Sequence, residues 1–240
     1  MSHTTNDSVA LVHLATDSPL ALALQRAGRT TGEPATAGVV LVGGTDDLEE
    51  TRQRLHAAAA SAGPGALVAL AGPFCSVTEA AAGLPDPSRV AGVHLHDAGP
   101  GRGTVEIIPG LLSAESVVDG LVELVDAMEG VVAVVVKDRP GRLLDALFVP
   151  YLNDVINELD DELATAEDLD VALTLGLGYQ RGPLELLDEV GLDRHLRTTS
   201  ALYEATHDVR YAPPALLRQM VAGGHRGTGS AGGFRTTPAS

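Results

Sequence analysis

Along the first half of the chain, apolar residues come in short runs separated by polar stretches that carry glycine and proline. Val9 to Leu14 (VALVHL) is such a run, with the length expected of a strand. Asp17-Ser18-Pro19 then opens a helix that Gly28 stops, because proline suits the first helical position and glycine the end. Residues 29–36 are polar and read as loop. Gly38 to Val42 (GVVLV) is a second strand, and Asp46 to Ala62 a helix with Asp46 or Asp47 as its cap. Ala66 to Ala71 is a third strand, Val77 to Gly83 a short helix, Val90 to Leu95 a fourth strand and Thr104 to Ile108 a fifth. Ser113 to Gly130 is amphipathic, with Val117, Val118, Leu121, Val125 and Met128 on one side. Val131 to Val136 is uninterruptedly apolar, the pattern of a strand covered on both faces. Strands alternating with helices argue for a mostly parallel sheet.

After Pro140-Gly141 the pattern is helical only. Helices are expected over Leu143 to Leu159, from Thr165 to about Gly176, from Gly182-Pro183, over Asp193 to Thr206 and over Pro213 to Ala222. Thr165-Ala-Glu-Asp168 reads as a capping box with Asp in place of Glu. The fold class is therefore α/β followed by all-α. The boundary lies near 138–141, giving a sheet domain over 1–138 and a helical domain over 139–240. Residues 1–7 read as loose, and the glycine-rich tail after Gly223 reads as surface chain.

Composition narrows the function. The chain has 240 residues, 45% of them hydrophobic, which is enough for a substantial core and too apolar for a disordered protein. Its 32 acids against 16 bases give a net charge of −16. Such a chain repels nucleic acid and anionic membranes, and any phosphate-bearing ligand needs a local site. Aromatics are 3%, with no tryptophan, so base-stacking platforms are not expected. No run reaches the roughly 18 apolar residues of a membrane span. The N-terminus lacks the basic and hydrophobic regions of a signal peptide. Cys75, the lone cysteine, excludes an intrachain disulfide and points to a reducing, cytoplasmic setting. It reads as a buried, inert thiol.

Several stretches carry a resemblance. VKDRPGRLLDALFVPYLNDVIN and ATAEDLDVALTLGLGYQRGPLELLDEVGLD, together covering most of Val136 to Asp193, are similar to sequences of the 3-hydroxyacyl-CoA dehydrogenase family. DVRYAPPALLRQMVAGGHRGTGSAGGF resembles its closing segment. RVAGVHLHDAGP resembles the stretch that the family writes RV-x-G-x-HFFNPVP. The likeness covers roughly residues 65–235, with a weaker echo at 9–28. It implies a Rossmann-like domain for NAD and a helical domain that dimerises and helps enclose an acyl chain. It also implies oxidation of a 3-hydroxyacyl thioester, such as an acyl-CoA, to the 3-ketoacyl form, a step of fatty acid metabolism.

The family's catalytic pair is the His of HFFNP and a Glu twelve positions later. His94 and Glu106 stand at that spacing, on consecutive expected strands. The chemistry needs such a pair. An imidazole, with an ordinary pKa of about 6.5, can accept a hydroxyl proton near neutral pH. A carboxylate fixes its tautomer and stabilises the imidazolium. His94 and His96 fall on one face of a strand, but no further metal-ligand spacing accompanies them, so no metal is expected.

The departures fall on the ligands. The family's G-x-G-x-x-G aligns with His13-Leu14-Ala15-Thr16-Asp17-Ser18, so His13, Ala15 and Ser18 stand at the cofactor glycines. Glycines there let a pyrophosphate approach backbone amides at a helix N-terminus. Asp17 or Ser18 instead reads as an ordinary cap. The segment between Gly28 and Gly38 is too short for a full dinucleotide half, and GVVLV resembles a later family strand. Charge-assisted bonds contribute about 1.5–3 kcal/mol each, so losing two weakens binding by two orders of magnitude or more. NAD is expected to bind weakly or not at all.

At the substrate side, the family's serine falls on Pro73, and its two asparagines on Asp97 and Asp145. Arg102, Arg139, Arg142, Arg181 and Arg226 are the cations available for phosphate, each read as a solvated surface charge. The expected function is a 3-hydroxyacyl-CoA dehydrogenase-like protein that oxidises its substrate with NAD if active. The alternative is a degenerate homologue, a pseudoenzyme, without NAD. That homologue would be a dimerising partner of itself or of an intact relative, an acyl-thioester binder or a cofactor-free acid–base enzyme.

Overall fold

The computed structural model describes residues 8–235, except Asp46, Pro73, Phe74, Pro100 and Gly101 and the side chains of Thr31, Asp97 and Ala98. Expectations for residues 1–7, for Asp46 and for Pro73 therefore lie outside the described residues. The chain divides between Leu143 and Leu144 into two compact units.

The first unit is a seven-stranded sheet with helices on both faces. Its elements are β1 (Val9–Val12), α1 (Pro19–Arg26), β2 (Thr30–Thr31), β3 (Val39–Gly43), α2 (Leu48–Ser61) and β4 (Leu67–Ala71). There follow α3 (Val77–Ala80), β5 (Val90–Gly99), β6 (Arg102–Pro109), α4 (Glu115–Asp126) and β7 (Val131–Val135). The strand order is β2-β1-β3-β4-β5-β6-β7, and only the β5–β6 pair is antiparallel.

Side-chain alternation sorts this sheet into two layers. Val39, Leu41, Ala69, Ala91, Val93 and Ile107 meet α1 and α4 on one face. Val40, Val42, Val68, Leu70, Val90 and Ile108 meet α2 and α3 on the other. Asp47 caps α2 through a 2.7 Å bond from the Glu50 amide, as expected of one of the two aspartates.

Three expectations are corrected. Residues 29–36 are not all loop, because Thr30 and Thr31 pair in parallel with Val9 and Ala10. This polar dipeptide carries no hydrophobic alternation to announce a strand. The order β2-β1-β3-β4-β5 is that of a dinucleotide-binding sheet whose outermost strand is lacking, with β3 in the place of the fourth strand. The Val131–Val136 run is not covered on both faces. β7 is an edge strand, and Val132 is 61% exposed. Arg142, finally, is buried rather than solvated.

The second unit comprises α5 (Leu144–Asp160), α6 (Ala166–Leu177), α7 (Pro183–Val190), α8 (Leu192–Thr206) and α9 (Ala215–Ala222). Leu152, Val155, Ile156, Leu184, Leu187, Leu192 and Leu217 form its core. Thr165 caps α6 by accepting from the Asp168 amide at 3.1 Å, and its hydroxyl donates to the Asp168 carboxylate at 2.8 Å. The helix runs one residue past Gly176 and closes on Gly178, which has a left-handed φ of 73°.

Two acids of the acidic motifs act as internal clamps. Asp170 accepts from the amides of Leu184 and Glu185 at 2.9 and 3.0 Å and from Arg235 at 2.9 Å. Asp188 accepts from the amides of Phe234 and Arg235 at 2.7 and 2.8 Å, pinning the last described residues. A buried polar chain runs through the same unit. His195 Nε2 lies 3.0 Å from Asn153 Oδ1, Asn153 donates to Thr199 at 2.8 Å, and Thr199 donates to the Tyr211 carbonyl at 2.8 Å. Among the described residues, no helix is long and apolar enough to cross a membrane.

Candidate active site

The β5–β6 hairpin builds the site. Its register sets His94 opposite Glu106 and His96 opposite Thr104. Residues two apart share a face, so both imidazoles and the carboxylate project to the side of the sheet that α3 covers lower down. α3 is only four residues long. Above it this face turns from apolar to polar, passing from Val90 and Ile108 to His94, His96 and Glu106.

Glu106 is 1% exposed. A buried carboxylate needs partners, since an unpaired charge in an apolar interior is very costly. It has them. Oε2 lies 2.9 Å from His96 Nε2, and Oε1 accepts from the Leu143 amide at 3.0 Å. The rings of His94 and His96 meet edge to face, with centroids 4.5 Å apart and planes at 70°. Both imidazoles are half-buried.

The segment after β7 closes this corner, which the sequence alone did not indicate. Asp138 accepts from Ser76 Oγ at 2.8 Å, from the Val77 and Thr78 amides at 3.0 and 2.8 Å and from Thr78 Oγ1 at 2.7 Å. It thereby fixes the start of α3. Arg142, with a left-handed φ of 50°, donates to the Gly72 carbonyl at the end of β4. Leu143 then reaches Glu106. The signal lay in the motif VKDRPGR, whose Asp and second Arg make these contacts. Cys75 sits half-buried beside Arg142. Burial pushes its thiol above the ordinary range, and the guanidinium opposes that rise.

The positions aligned with the cofactor glycines lie in the turn from β1 to α1. His13 has a left-handed φ of 53°, and its carbonyl oxygen lies 2.1 Å from where a Cβ on Gly43 would stand. Only glycine fits β3 there. Ala15 is exposed, and Ser18 is the cap of α1, accepting from the Ala21 amide at 3.3 Å. Pro19 follows as the first helical residue. Two of the first three helical positions thus offer no amide hydrogen to a ligand, because Pro19 has none and that of Ala21 is bonded. Asp17 is exposed beside them.

Glu33, which the sequence reading passed over, lies two residues beyond β2. That is about 20 residues past the first turn, where dinucleotide-binding folds carry their ribose-binding acid. Its signal was distance from the turn rather than any motif.

The remaining site residues fall as follows. Asp97 extends β5 opposite Gly103, and its side chain lies outside the described residues. Asp145 is half-buried in the first turn of α5, in the helical unit. Of the arginines, Arg102, Arg139 and Arg226 are exposed, and Arg181 pairs with Glu189. Among the described residues no group of three His, Cys, Asp or Glu side chains is placed to hold a metal.

Comparison with known proteins fits this architecture. The family model for the 3-hydroxyacyl-CoA dehydrogenase NAD binding domain matches residues 23–139, and that for the C-terminal domain matches 141–237. The first match begins inside α1, so His13 to Ser18 lie outside it. A 3-hydroxybutyryl-CoA dehydrogenase of Mycobacterium tuberculosis is 34% identical over 173 residues, covering 72% of this chain and 60% of that protein. The 3-hydroxyadipyl-CoA dehydrogenase of Escherichia coli is 32% identical over 194 residues, 80% of this chain and 41% of its own length. The chain thus spans 60% or less of these two relatives. The crystal structure of an (S)-3-hydroxybutyryl-CoA dehydrogenase from Ralstonia eutropha superposes with a TM-score of 0.81 at 26% identity, over 88% of this chain and 76% of that one.

Proposed function

The chain belongs to the 3-hydroxyacyl-CoA dehydrogenase family, and on that premise we propose that it acts on a 3-hydroxyacyl thioester through the imidazole and carboxylate groups of β5 and β6. The observation that carries this reading is the fully buried Glu106 carboxylate bonded to a half-buried imidazole at the polar end of the sheet. The imidazole takes the proton of the C3 hydroxyl. Glu106, held by the Leu143 amide, keeps its partner ring in one tautomer and balances the charge that the ring acquires. His94, opposite Glu106, lines the same face. Asp97 and Asp145 stand at the sequence positions where the family has amides.

In the family NAD accepts the hydride. The first turn of this chain does not fit its pyrophosphate as a glycine-rich turn does, because Ser18 and Pro19 remove two amide donors and Asp17 adds an anion. We assign no hydride step to these residues and expect NAD to bind no tighter than millimolar, with Glu33 the best-placed ribose ligand. A second reading follows from the same capped turn, that of a homologue without NAD that binds acyl thioesters or performs acid–base chemistry alone.

For the helical unit we propose homodimerisation, with an intact homologue as the alternative partner. The support is the exposure of Leu147 and Phe148 on α5 and of Val171, Leu175 and Leu177 on α6, with Leu175 82% exposed. A reducing, cytoplasmic setting accords with the lone Cys75.

The test is reduction of acetoacetyl-CoA by NADH beside His94→Ala and Glu106→Gln, with NADH binding followed by its fluorescence. Turnover lost in Glu106→Gln is expected. No turnover, together with calorimetric binding of acetoacetyl-CoA, would favour the second reading. Gel filtration should give a dimer at micromolar concentration, and a monomer would contradict that part.

A further inference from the structure

We propose that Glu106 serves His96, and that His96 rather than His94 is the imidazole that takes and returns the substrate's proton. The inference rests on the reading above, that this site handles an acyl thioester. Three observations carry it. The carboxylate is 2.9 Å from Nε2 of His96, within the range of a charge-assisted hydrogen bond. Its other oxygen is tied to the Leu143 amide, so the carboxylate plane is fixed from both ends inside a buried setting. Lastly, His96 stands where the family motif HFFNP has its second phenylalanine, so this chain carries an imidazole at a place where the family has a ring that holds no proton.

The geometry divides the labour within the ring. Nε2 carries the hydrogen bonded to Glu106, which leaves Nδ1 as the basic nitrogen on the other side of the imidazole. A proton taken from the substrate ends on Nδ1, and the electron pair of the broken bond stays on the substrate atom. Nε2 keeps its own hydrogen, and the positive charge of the ring is balanced by the carboxylate. In the reverse direction Nδ1 gives the proton back. His94, edge-on to His96 at 4.5 Å, packs the ring and holds its tilt.

The test has two arms. Histidine-selective 15N labelling of the protein, which has 8 histidines, reads the tautomers and the exchange-protected ring hydrogens. Besides the Nε2–H of buried His195, which all variants keep, the expected signal is a protected Nε2–H resonance that disappears in His96→Phe, shifts in Glu106→Gln and survives in His94→Gln. The proposal is overturned if that second resonance survives His96→Phe, or if His195 alone gives a protected Nε2–H. In the second arm, the rate of acetoacetyl-CoA reduction at saturating thioester and one fixed NADH concentration falls at least ~100-fold in His96→Phe and His96→Gln, the scale of general acid–base catalysis, with little change in the apparent KM for the thioester. The loss in His94→Gln is at least tenfold smaller. The reverse ranking overturns it. Thermal unfolding of each variant separates loss of chemistry from loss of fold. A wild-type protein without turnover contradicts the proposed function, and the labelled spectra still decide which histidine the carboxylate holds.

Discussion

The strand register puts Glu106 opposite His94, yet its carboxylate is bonded to His96, one step further along the same face. A long acidic side chain can reach a diagonal neighbour on an antiparallel pair. The amide of Leu143 draws the other oxygen away from the strand, which fixes the direction in which the carboxylate leans. The site is thus set by the β5–β6 hairpin together with a residue 37 positions further along the chain.

Glu106→Gln and Glu106→Ala should separate chemistry from stability. Glutamine keeps an acceptor for the Leu143 amide but removes the charge, so activity should fall ~100-fold or more with little change in unfolding. Alanine takes the acceptor from the part-buried Leu143 amide and empties the space of a fully buried side chain, so it should cost about 1–3 kcal/mol in addition, read as a lower urea midpoint.

Asp138→Ala should destabilise the sheet unit. It removes the acceptor for two amides and two hydroxyls at the start of α3. Bonds to a charged group contribute about 1.5–3 kcal/mol each, and water recovers part of that loss at this half-buried site, so a net loss of about 3 kcal/mol is expected. Asp138→Asn should lose less. Equal midpoints for wild type and Asp138→Ala would count against the clamp.

Much of the fold was legible from the sequence, and the reasons are local. The helices over 144–160, 183–190 and 192–206 carry apolar periods and proline or glycine boundaries that act within a turn or two. β3 and β4 were visible because a strand buried on both faces is continuously apolar. The same logic failed at β7, where an apolar run lies at an edge, and at β2, where two threonines pair only because β1 offers an open side. The site was legible as far as Glu106 and the shared face of the two histidines. The bond between Glu106 and His96 was not, since the lean of a side chain depends on Leu143, 37 positions away. Arg142 was misread because its burial arises from Gly72, 70 positions off.

Stability should depend on pH through His195. Burial pushes its pKa from 6.5 down to about 4. The folded state therefore prefers the neutral ring, and the unfolded chain takes up a proton first as pH falls. Stability from this group is fully present above pH 6.5 and is lost as pH drops towards about 4. The loss totals about 3 kcal/mol, of which about 2 kcal/mol falls between pH 7 and pH 5. Urea midpoints across that range should flatten in His195→Gln. An unchanged slope would mean that the ring does not titrate as its burial implies.

Gly43→Ala should unfold or rearrange the β1–α1 turn, because the new methyl would collide with the His13 carbonyl. A loss of at least about 2 kcal/mol is expected, on the scale of other backbone and overpacking clashes. Wild-type stability in this variant would show that the turn can move.

The most direct test of the account is the NADH dependence of acetoacetyl-CoA reduction. The expected rate rises without saturating up to about 1 mM NADH, the affinity left when two charge-assisted donors are lost from the cradle. Saturation at micromolar NADH would contradict it, since the turn at His13 to Ser18 would then hold the coenzyme as a glycine-rich turn does.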